Sequence, residues 1–149
     1  MKVKVYILVL VLVVSFFVSS AAWADPFNIG MKIDFLDVGR ENLPFFGISM
    51  GTEFIPSLES RLSISFNVTG DTVVSLLGID GLYKLSFPGE ILTPYFGLGL
   101  AYLTDGTSGA SGGNFFGGLE VDNMSLEGGF IYFFESDSLV SRIGLYMSF

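Results

Sequence analysis

The sequence predicts an all-β protein: a closed, antiparallel, eight-stranded up-and-down transmembrane β-barrel preceded by a cleavable signal peptide. Three observations lead to this fold class. After residue 24, large apolar side chains alternate with small or polar ones in eight successive segments, which is the two-residue period of β-strands. The charged residues of these segments lie on the small-residue face. No later apolar stretch reaches the length of about 18 residues that marks a membrane-spanning helix.

Residues 1–24 have the organisation of a secretory signal peptide. Met1-Lys2-Val3-Lys4 is a short basic segment, residues 5–18 are apolar apart from Tyr6 and Ser15, and Ala22-Trp23-Ala24 places small residues at a cleavage position. A retained membrane anchor is the alternative, but the apolar run is shorter than the roughly 20 residues of a spanning helix. We therefore expect a signal peptide at 1–24 and the β-barrel domain at 25–149.

Eight strands are predicted in order along the β-barrel domain. They cover residues 27–37, 44–54, 60–69, 72–87, 92–103, 113–121 and 124–135, and a last strand ends with residues 142–149. Pro56-Ser57, Gly70-Asp71, Pro88-Gly89 and Asp122-Asn123 are turn signals, and the Gly- and Ser-rich segment 104–112 is the longest predicted loop. Residues 73–77 are apolar on both faces apart from Ser75, so their orientation is not assigned.

The distribution of large and small residues is inverted relative to a soluble barrel. The lumen of an eight-stranded barrel is too narrow to hold about 35 large apolar side chains. The large face is therefore expected to meet lipid and the small face to line the lumen, as in transmembrane barrels. The alternative is a secreted soluble β-barrel carrying a lipophilic ligand, which would turn its large residues inward.

The charges on the small face form a predicted ion-pair network in the lumen. Its members are Lys32, Asp34, Glu53, Arg61, Asp80, Lys84, Glu120, Glu127 and Arg142. Simple hairpin registers place Glu53 opposite Arg61, and Arg61 opposite Asp80. Enclosed carboxylates can act as acid and base, but ion-pair networks also occur without catalysis. A structural plug of salt bridges is the favoured interpretation, because charges in such a space must be paired.

Composition argues against several classes of function. Loss of Lys2 and Lys4 with the signal leaves five basic residues against 15 acidic ones, a net charge of −10, which disfavours nucleic acid as a partner. The absence of His and Cys argues against Ser/His acyl-transfer chemistry and transition-metal sites. The carboxylates also lack calcium-loop spacing. We expect no cofactor, no metal and no enzymatic activity.

The last residues carry a further pattern. Arg142 is followed two positions on by Gly144, and the large residues Met147 and Phe149 end the sequence. These four residues resemble the C-terminal assembly signal of bacterial outer-membrane β-barrels; taken alone, they would also fit the last strand of a soluble sheet. Residues 27–149 as a whole resemble the small eight-stranded outer-membrane β-barrel family of OmpA-type or OmpX-type plan, although we expect short loops and no peptidoglycan-binding domain.

The resemblance implies a location and partners. It implies the outer membrane of a Gram-negative-type envelope, with its lipid bilayer as surroundings, and barrel-assembly machinery and periplasmic chaperones as partners during biogenesis. With periplasmic termini, connections 38–43, 70–71, 104–112 and 136–138 would lie outside, and 55–59, 88–91 and 122–123 would be periplasmic turns. Candidate aromatic girdles are then Phe27, Phe54, Phe87, Phe96 and Phe149 at the inner rim, and Phe35, Phe46, Tyr102, Phe115 and Phe134 nearer the outer rim.

The leading functional hypothesis is a non-enzymatic integral outer-membrane protein with a structural or surface role and a charge-plugged lumen. The first alternative is a narrow channel or a ligand-binding outer-membrane barrel, in which the 104–112 loop or the lumen contacts the ligand. The soluble lipid-carrying barrel is the second alternative.

Overall fold

The computed structural model describes residues 27–38, 41–69, 71–89 and 91–149, and these residues form a closed antiparallel β-barrel of eight strands. Each strand pairs with its neighbours in sequence, and the first strand pairs with the last. The strands are β1 (Asn28–Val38), β2 (Glu41–Ile55), β3 (Leu58–Thr69), β4 (Thr72–Lys84), β5 (Leu92–Thr104), β6 (Gly109–Val121), β7 (Met124–Phe133) and β8 (Ser138–Ser148). The predicted fold class is confirmed. The signal peptide and its cleavage position lie outside the described residues.

Closure leaves two ends, which the connections define. The loop end carries the β1–β2, β3–β4, β5–β6 and β7–β8 connections, and the terminal end carries the other three together with Phe27 and Phe149. The described chain contains no helix with the length and apolar character required to cross a bilayer.

Several strand boundaries differ from the sequence prediction by one to four residues, and β2 begins at Glu41, three residues before its predicted start. Strand β6 begins at Gly109 because Gly109 pairs with Thr104 and the ladder continues through the glycines to Gly113, opposite Leu100. The predicted long loop at 104–112 is therefore wrong, and the connection is only 105–108. Strand β4 ends at Lys84, three residues before the predicted end, so the β4–β5 connection, 85–91, is longer.

Alternating parity turns one face of each strand outward. The exterior carries large apolar side chains that are exposed on every strand, among them Ile29, Met31, Phe46, Ile48, Phe66, Leu77, Leu98, Leu100, Leu126, Phe130, Ile143 and Leu145. The unassigned segment 73–77 follows the same rule: Val73 and Leu77 are exposed, whereas Leu76 is buried inside. The barrel thus presents its apolar residues outward and lines most of its interior with polar and small residues.

Candidate functional site: a charged layer inside the barrel

Six charged side chains meet in the middle of the barrel. We call them the central charged cluster: Lys32 and Asp34 from β1, Arg61 from β3, Asp80 from β4, Glu127 from β7 and Arg142 from β8. All six are buried, with at most 4% of the residue exposed. Each has inward parity on its strand, so the fold brings together residues up to 110 positions apart. Three positive charges face three negative ones, so the cluster is neutral.

Glu127 is the acceptor that joins two arginines. Its Oε1 lies 2.5 Å from Nη2 of Arg61, and its Oε2 accepts from Nη2 of Arg142. The Tyr95 hydroxyl donates to Oε1 at 2.8 Å. Because β3 and β7 stand four strands apart in a ring of eight, the Arg61–Glu127 bridge spans the interior from wall to opposite wall.

A second chain of contacts runs from β1 to β4. Nε of Arg142 is 2.9 Å from Oδ1 of Asp34, and Nη1 of Arg142 donates to Oδ1 of Asn114 at 3.1 Å. Asn114 Nδ2 in turn donates to Oδ1 of Asp80 at 2.8 Å. Lys32 Nζ completes the chain, 3.2 Å from Oδ2 of Asp34. Every carboxylate of the cluster thus has a cationic or amide donor, as buried charges require.

Aromatic rings fill the space between the arginines. The Arg61 and Arg142 guanidinium carbons lie 5.3 Å and 4.9 Å from the Phe116 ring centroid, within the range of cation–π attraction. The Phe116 ring occupies the space over Gly97, where a Cβ would lie 2.3 Å from its Cζ. Glycine at position 97 is therefore what lets the ring lie across the lumen.

A smaller charged group lies toward the terminal end. Lys84 Nζ is 2.9 Å from Oε2 of Glu59 and 3.1 Å from Oε2 of Glu120. Glu59 is buried, whereas Lys84 and Glu120 are partly exposed, Glu120 most of all at 29%. The sequence prediction did not include Glu59, because this residue was assigned to a turn. Glu59 has the same inward parity as Arg61 and Ser63, and this alternation could have identified it.

Glu53 is not part of the network, and its prediction was wrong. The β2–β3 register pairs Arg61 with Gly51 and Glu53 with Glu59, and a bulge lies between Glu53 and Ile55. Gly51, rather than Glu53, therefore lies opposite Arg61, and Glu53 is exposed near the terminal end of β2. Glu53 instead accepts from the backbone N–H of Ser57 at 3.1 Å. The predicted pairing of Arg61 with Asp80 matches the observed β3–β4 register.

An apolar layer fills the interior on the loop-end side of the charges. Its buried members are Leu36, Phe45, Leu76, Ala101, Ile131, Phe133 and Val140, with Leu43, Val74, Leu103 and Ala110 packed against them. Sequence reasoning missed this layer, because the small face was treated as uniformly small and polar. The sequence feature that could have predicted this layer is the presence of larger apolar residues at inward positions near one end of the strands.

The remaining predicted positions lie on the barrel wall. The nine aromatic residues Phe27, Phe35, Phe46, Phe54, Phe87, Phe96, Tyr102, Phe115 and Phe134 are all exposed, as is Phe149. Phe115, however, is the central residue of β6, because that strand starts at Gly109. The prediction that Phe115 lies nearer the outer rim was therefore wrong.

The four residues of the predicted C-terminal assembly signal lie in different surroundings. Arg142 belongs to the central charged cluster, and a Cβ at Gly144 would lie 2.7 Å from Oδ1 of Asp34. Met147 is half-buried, and the Phe149 N–H donates to Ile29 O at 2.8 Å.

The chemistry open to this site is limited. The described residues include no group of three or more potential metal ligands. The carboxylates of the central cluster are engaged with Lys, Arg, Asn or Tyr donors. The arrangement suits cross-linking of the barrel wall by charge.

No protein-family model and no curated protein matches the chain by sequence. Solved structures do match it by shape. The N-terminal β-barrel domain of Pseudomonas aeruginosa OprF superposes with a TM-score of 0.58 at 19% identity, covering 82% of this chain and 97% of that domain. Neisserial surface protein A gives a TM-score of 0.49 at 16% identity, covering 83% of this chain and 96% of the other. Ail of Yersinia pestis, in a phospholipid bilayer nanodisc, gives 0.49 at 12%, covering 83% and 100%.

The comparison with the OprF domain agrees with the strand order and closure found in this chain. The chain has the fold of the small eight-stranded outer-membrane β-barrels.

Proposed function

We propose that this protein is an integral outer-membrane β-barrel with a structural or surface role, whose lumen is plugged and passes neither ions nor solutes. The observation that carries the proposal is the Arg61–Glu127 bridge, 2.5 Å between strands on opposite sides of the ring. A bridge of that length would obstruct the lumen where it crosses the barrel axis.

The exterior supports a bilayer as the surroundings. Large apolar residues are exposed on all eight strands; Ile48, Leu98 and Leu100, for example, are each more than half exposed. Soluble monomers rarely show apolar patches above a few hundred Å². A mid-membrane Lys or Arg on a lipid-facing position would cost about 2–4 kcal/mol, and Lys32, Arg61, Lys84 and Arg142 all point inward. The same outward face argues against a soluble carrier of lipophilic ligands.

Two barriers in series support a closed lumen. The central charged cluster is neutral and internally paired, so an ion passing through it would have to break buried salt bridges. The apolar layer that includes Leu36 and Val140 lies on the loop-end side of this cluster. A permeating ion would lose its hydration there without gaining partners.

Two measurements test this proposal. The protein, refolded in detergent and reconstituted in a planar bilayer, should show no steady single-channel current, whereas a reproducible conductance would overturn the plugged lumen and favour the narrow channel. Folded protein should also require detergent or lipid and should show heat-modifiable gel mobility. A folded monomer that stays soluble in buffer alone would overturn the membrane assignment.

We also propose that Arg142, Gly144, Met147 and Phe149 are recognised during assembly, with barrel-assembly machinery and periplasmic chaperones as the partners. Support comes from the position of these residues on β8, the strand that closes the barrel against β1. Phe149 is 71% exposed and so accessible to a partner. The aromatic residues on the exterior would form the girdles at the two membrane interfaces.

A further inference from the structure

The loop end of the barrel holds a concave cup with a volume of about 320 Å³. Its floor is made by Val74, Leu103 and Ala110, which pack on the apolar layer below. Its wall is made by Thr104, Asp105 and Ser108. The volume is near the lower limit of ligand pockets, which run from about 300 to 1,000 Å³ and combine an apolar lining with few polar groups.

The wall of the cup is held by hydrogen bonds around one carboxylate. Oδ1 of Asp105 accepts from the backbone N–H of Thr107 at 2.9 Å and from that of Ser108 at 2.7 Å. Oδ2 accepts from the Ser108 hydroxyl at 3.2 Å. The Ser108 and Thr107 N–H groups hold the pKa of Asp105 well below its usual range. The carboxylate is therefore ionised, fixed in place, and able to accept further hydrogen bonds through Oδ2.

The charge of the surrounding rim has one sign. The described residues of the four loop-end connections and adjoining strand ends carry six exposed carboxylates: Asp37, Glu41, Asp71, Asp105, Glu135 and Asp137. They carry no Lys or Arg, and the sequence adds a single Arg40 outside the described residues. Such a rim attracts cations and repels anions before contact.

We propose that this cup binds a small organic cation, an ammonium group attached to a single aromatic ring or short alkyl body. The apolar body would lie on Val74, Leu103 and Ala110, and the ammonium would donate to Asp105. The volume is too small for a polymer segment, and the acidic rim disfavours ligands that carry phosphate or sulfate groups. This binding activity is independent of whether the lumen conducts.

The test uses benzylamine and its neutral counterpart, benzyl alcohol. Each probe is titrated into the folded protein in detergent micelles while NMR follows the methyl groups of Val74, Leu103 and Ala110, with partition into empty micelles measured separately. We expect saturable shifts with benzylamine and weaker binding of benzyl alcohol. Equal affinity for the two probes, or no saturable shift with benzylamine, would overturn the proposal.

Three variants localise the site. Asp105→Asn removes the charge but keeps an acceptor for the loop, and should weaken benzylamine binding about three- to tenfold, the range of a partly screened charged hydrogen bond. Ala110→Leu fills the floor and should abolish binding of both probes. Asp71→Asn removes the same charge from the rim without touching the cup, and should have less than a twofold effect. If Asp71→Asn weakens binding as much as Asp105→Asn, the cation is attracted only by the overall negative potential of the rim, and the proposed site in the cup does not exist.

Discussion

Arg61 and Glu127 form a salt bridge across the full width of the barrel, 2.5 Å from Nη2 to Oε1. Arg61 is 1% exposed and Glu127 is 2% exposed. A buried charge that loses its partner is strongly destabilising, because the remaining ion is left desolvated and unpaired. The Arg142 guanidinium depends on the same carboxylate, so Glu127 compensates two arginines at once.

Glu127→Gln should therefore lower the free energy of unfolding by about 3–5 kcal/mol. Urea titration of the folded protein in detergent or lipid measures the loss. Glu53→Gln is the matched control: Glu53 is exposed outside the network, and exposed substitutions usually stay within about 0.5 kcal/mol. Similar losses in the two variants would contradict the role assigned to Glu127.

Gly129→Ala and Gly128→Ala should differ in sign although they are neighbours on β7. A Cβ at Gly129 would lie 2.1 Å from the backbone oxygen of Phe115, and overpacking of this kind costs about 1–3 kcal/mol. A Cβ at Gly128 meets nothing within 4 Å, so alanine there should stabilise the strand by about 0.5–1 kcal/mol. Unfolding free energies of both variants provide the comparison. Equal effects would mean that the interior is looser than the structure indicates.

A double-mutant cycle tests the ion pair between Lys84 and Glu59 near the terminal end of the barrel. Lys84→Gln combined with Glu59→Gln should give a coupling energy of roughly 0.5–3 kcal/mol, because the buried Glu59 and the largely buried Lys84 form an ion pair. Lys84→Gln combined with Glu53→Gln should give no coupling. Coupling of Lys84 with Glu53 in place of Glu59 would contradict the ion pair found in the structure.

The loop at 105–108 should stay ordered at pH values well below the usual pKa of aspartate. The pKa of Asp105 is lowered by hydrogen bonds from the Ser108 and Thr107 backbones. Its stabilising effect is fully present above the pKa of an unfolded aspartate, about 3.9, and is lost as pH falls through the lower pKa of the folded loop. Hydrogen exchange of the Thr107 and Ser108 amides, followed from pH 6 downward, should show this late loss of protection. In Asp105→Asn the same amides should show no such transition.

Phe149→Asp should impair assembly more than an equivalent change elsewhere on the exterior. The substitution would remove an exposed aromatic ring, and it would also disturb the proposed recognition of the last residues during assembly. Phe134→Asp is the control, because Phe134 is also an exposed aromatic outside a strand. The heat-modifiable fraction recovered from membranes is the readout. Normal insertion of Phe149→Asp would mean that residues Arg142 to Phe149 form the closing strand but do not act as an assembly signal.

The two-residue period was enough to predict the number of strands, their order and the face that most side chains take. Parity placed Lys32, Asp34, Arg61, Asp80 and Arg142 on one face, and hairpin counting matched Arg61 to Asp80. These properties are local: they depend on alternation along one strand and on the length of one turn. The pattern also showed that the large residues outnumber what a narrow lumen can hold.

Contacts between distant strands were decided only by the tertiary structure. No sequence spacing relates Arg61 to Glu127, because β3 and β7 meet only after the barrel closes and side chains reach across it. The β2–β3 register sets Gly51, rather than Glu53, opposite Arg61, and Glu59 is the residue that pairs with Lys84. The apolar layer likewise arises from strand stagger, which brings Leu36, Phe45 and Ile131 to one level. The sequence by itself determined which face most strand residues take, because alternation is local; closure, register and stagger decided which of the inward residues touch.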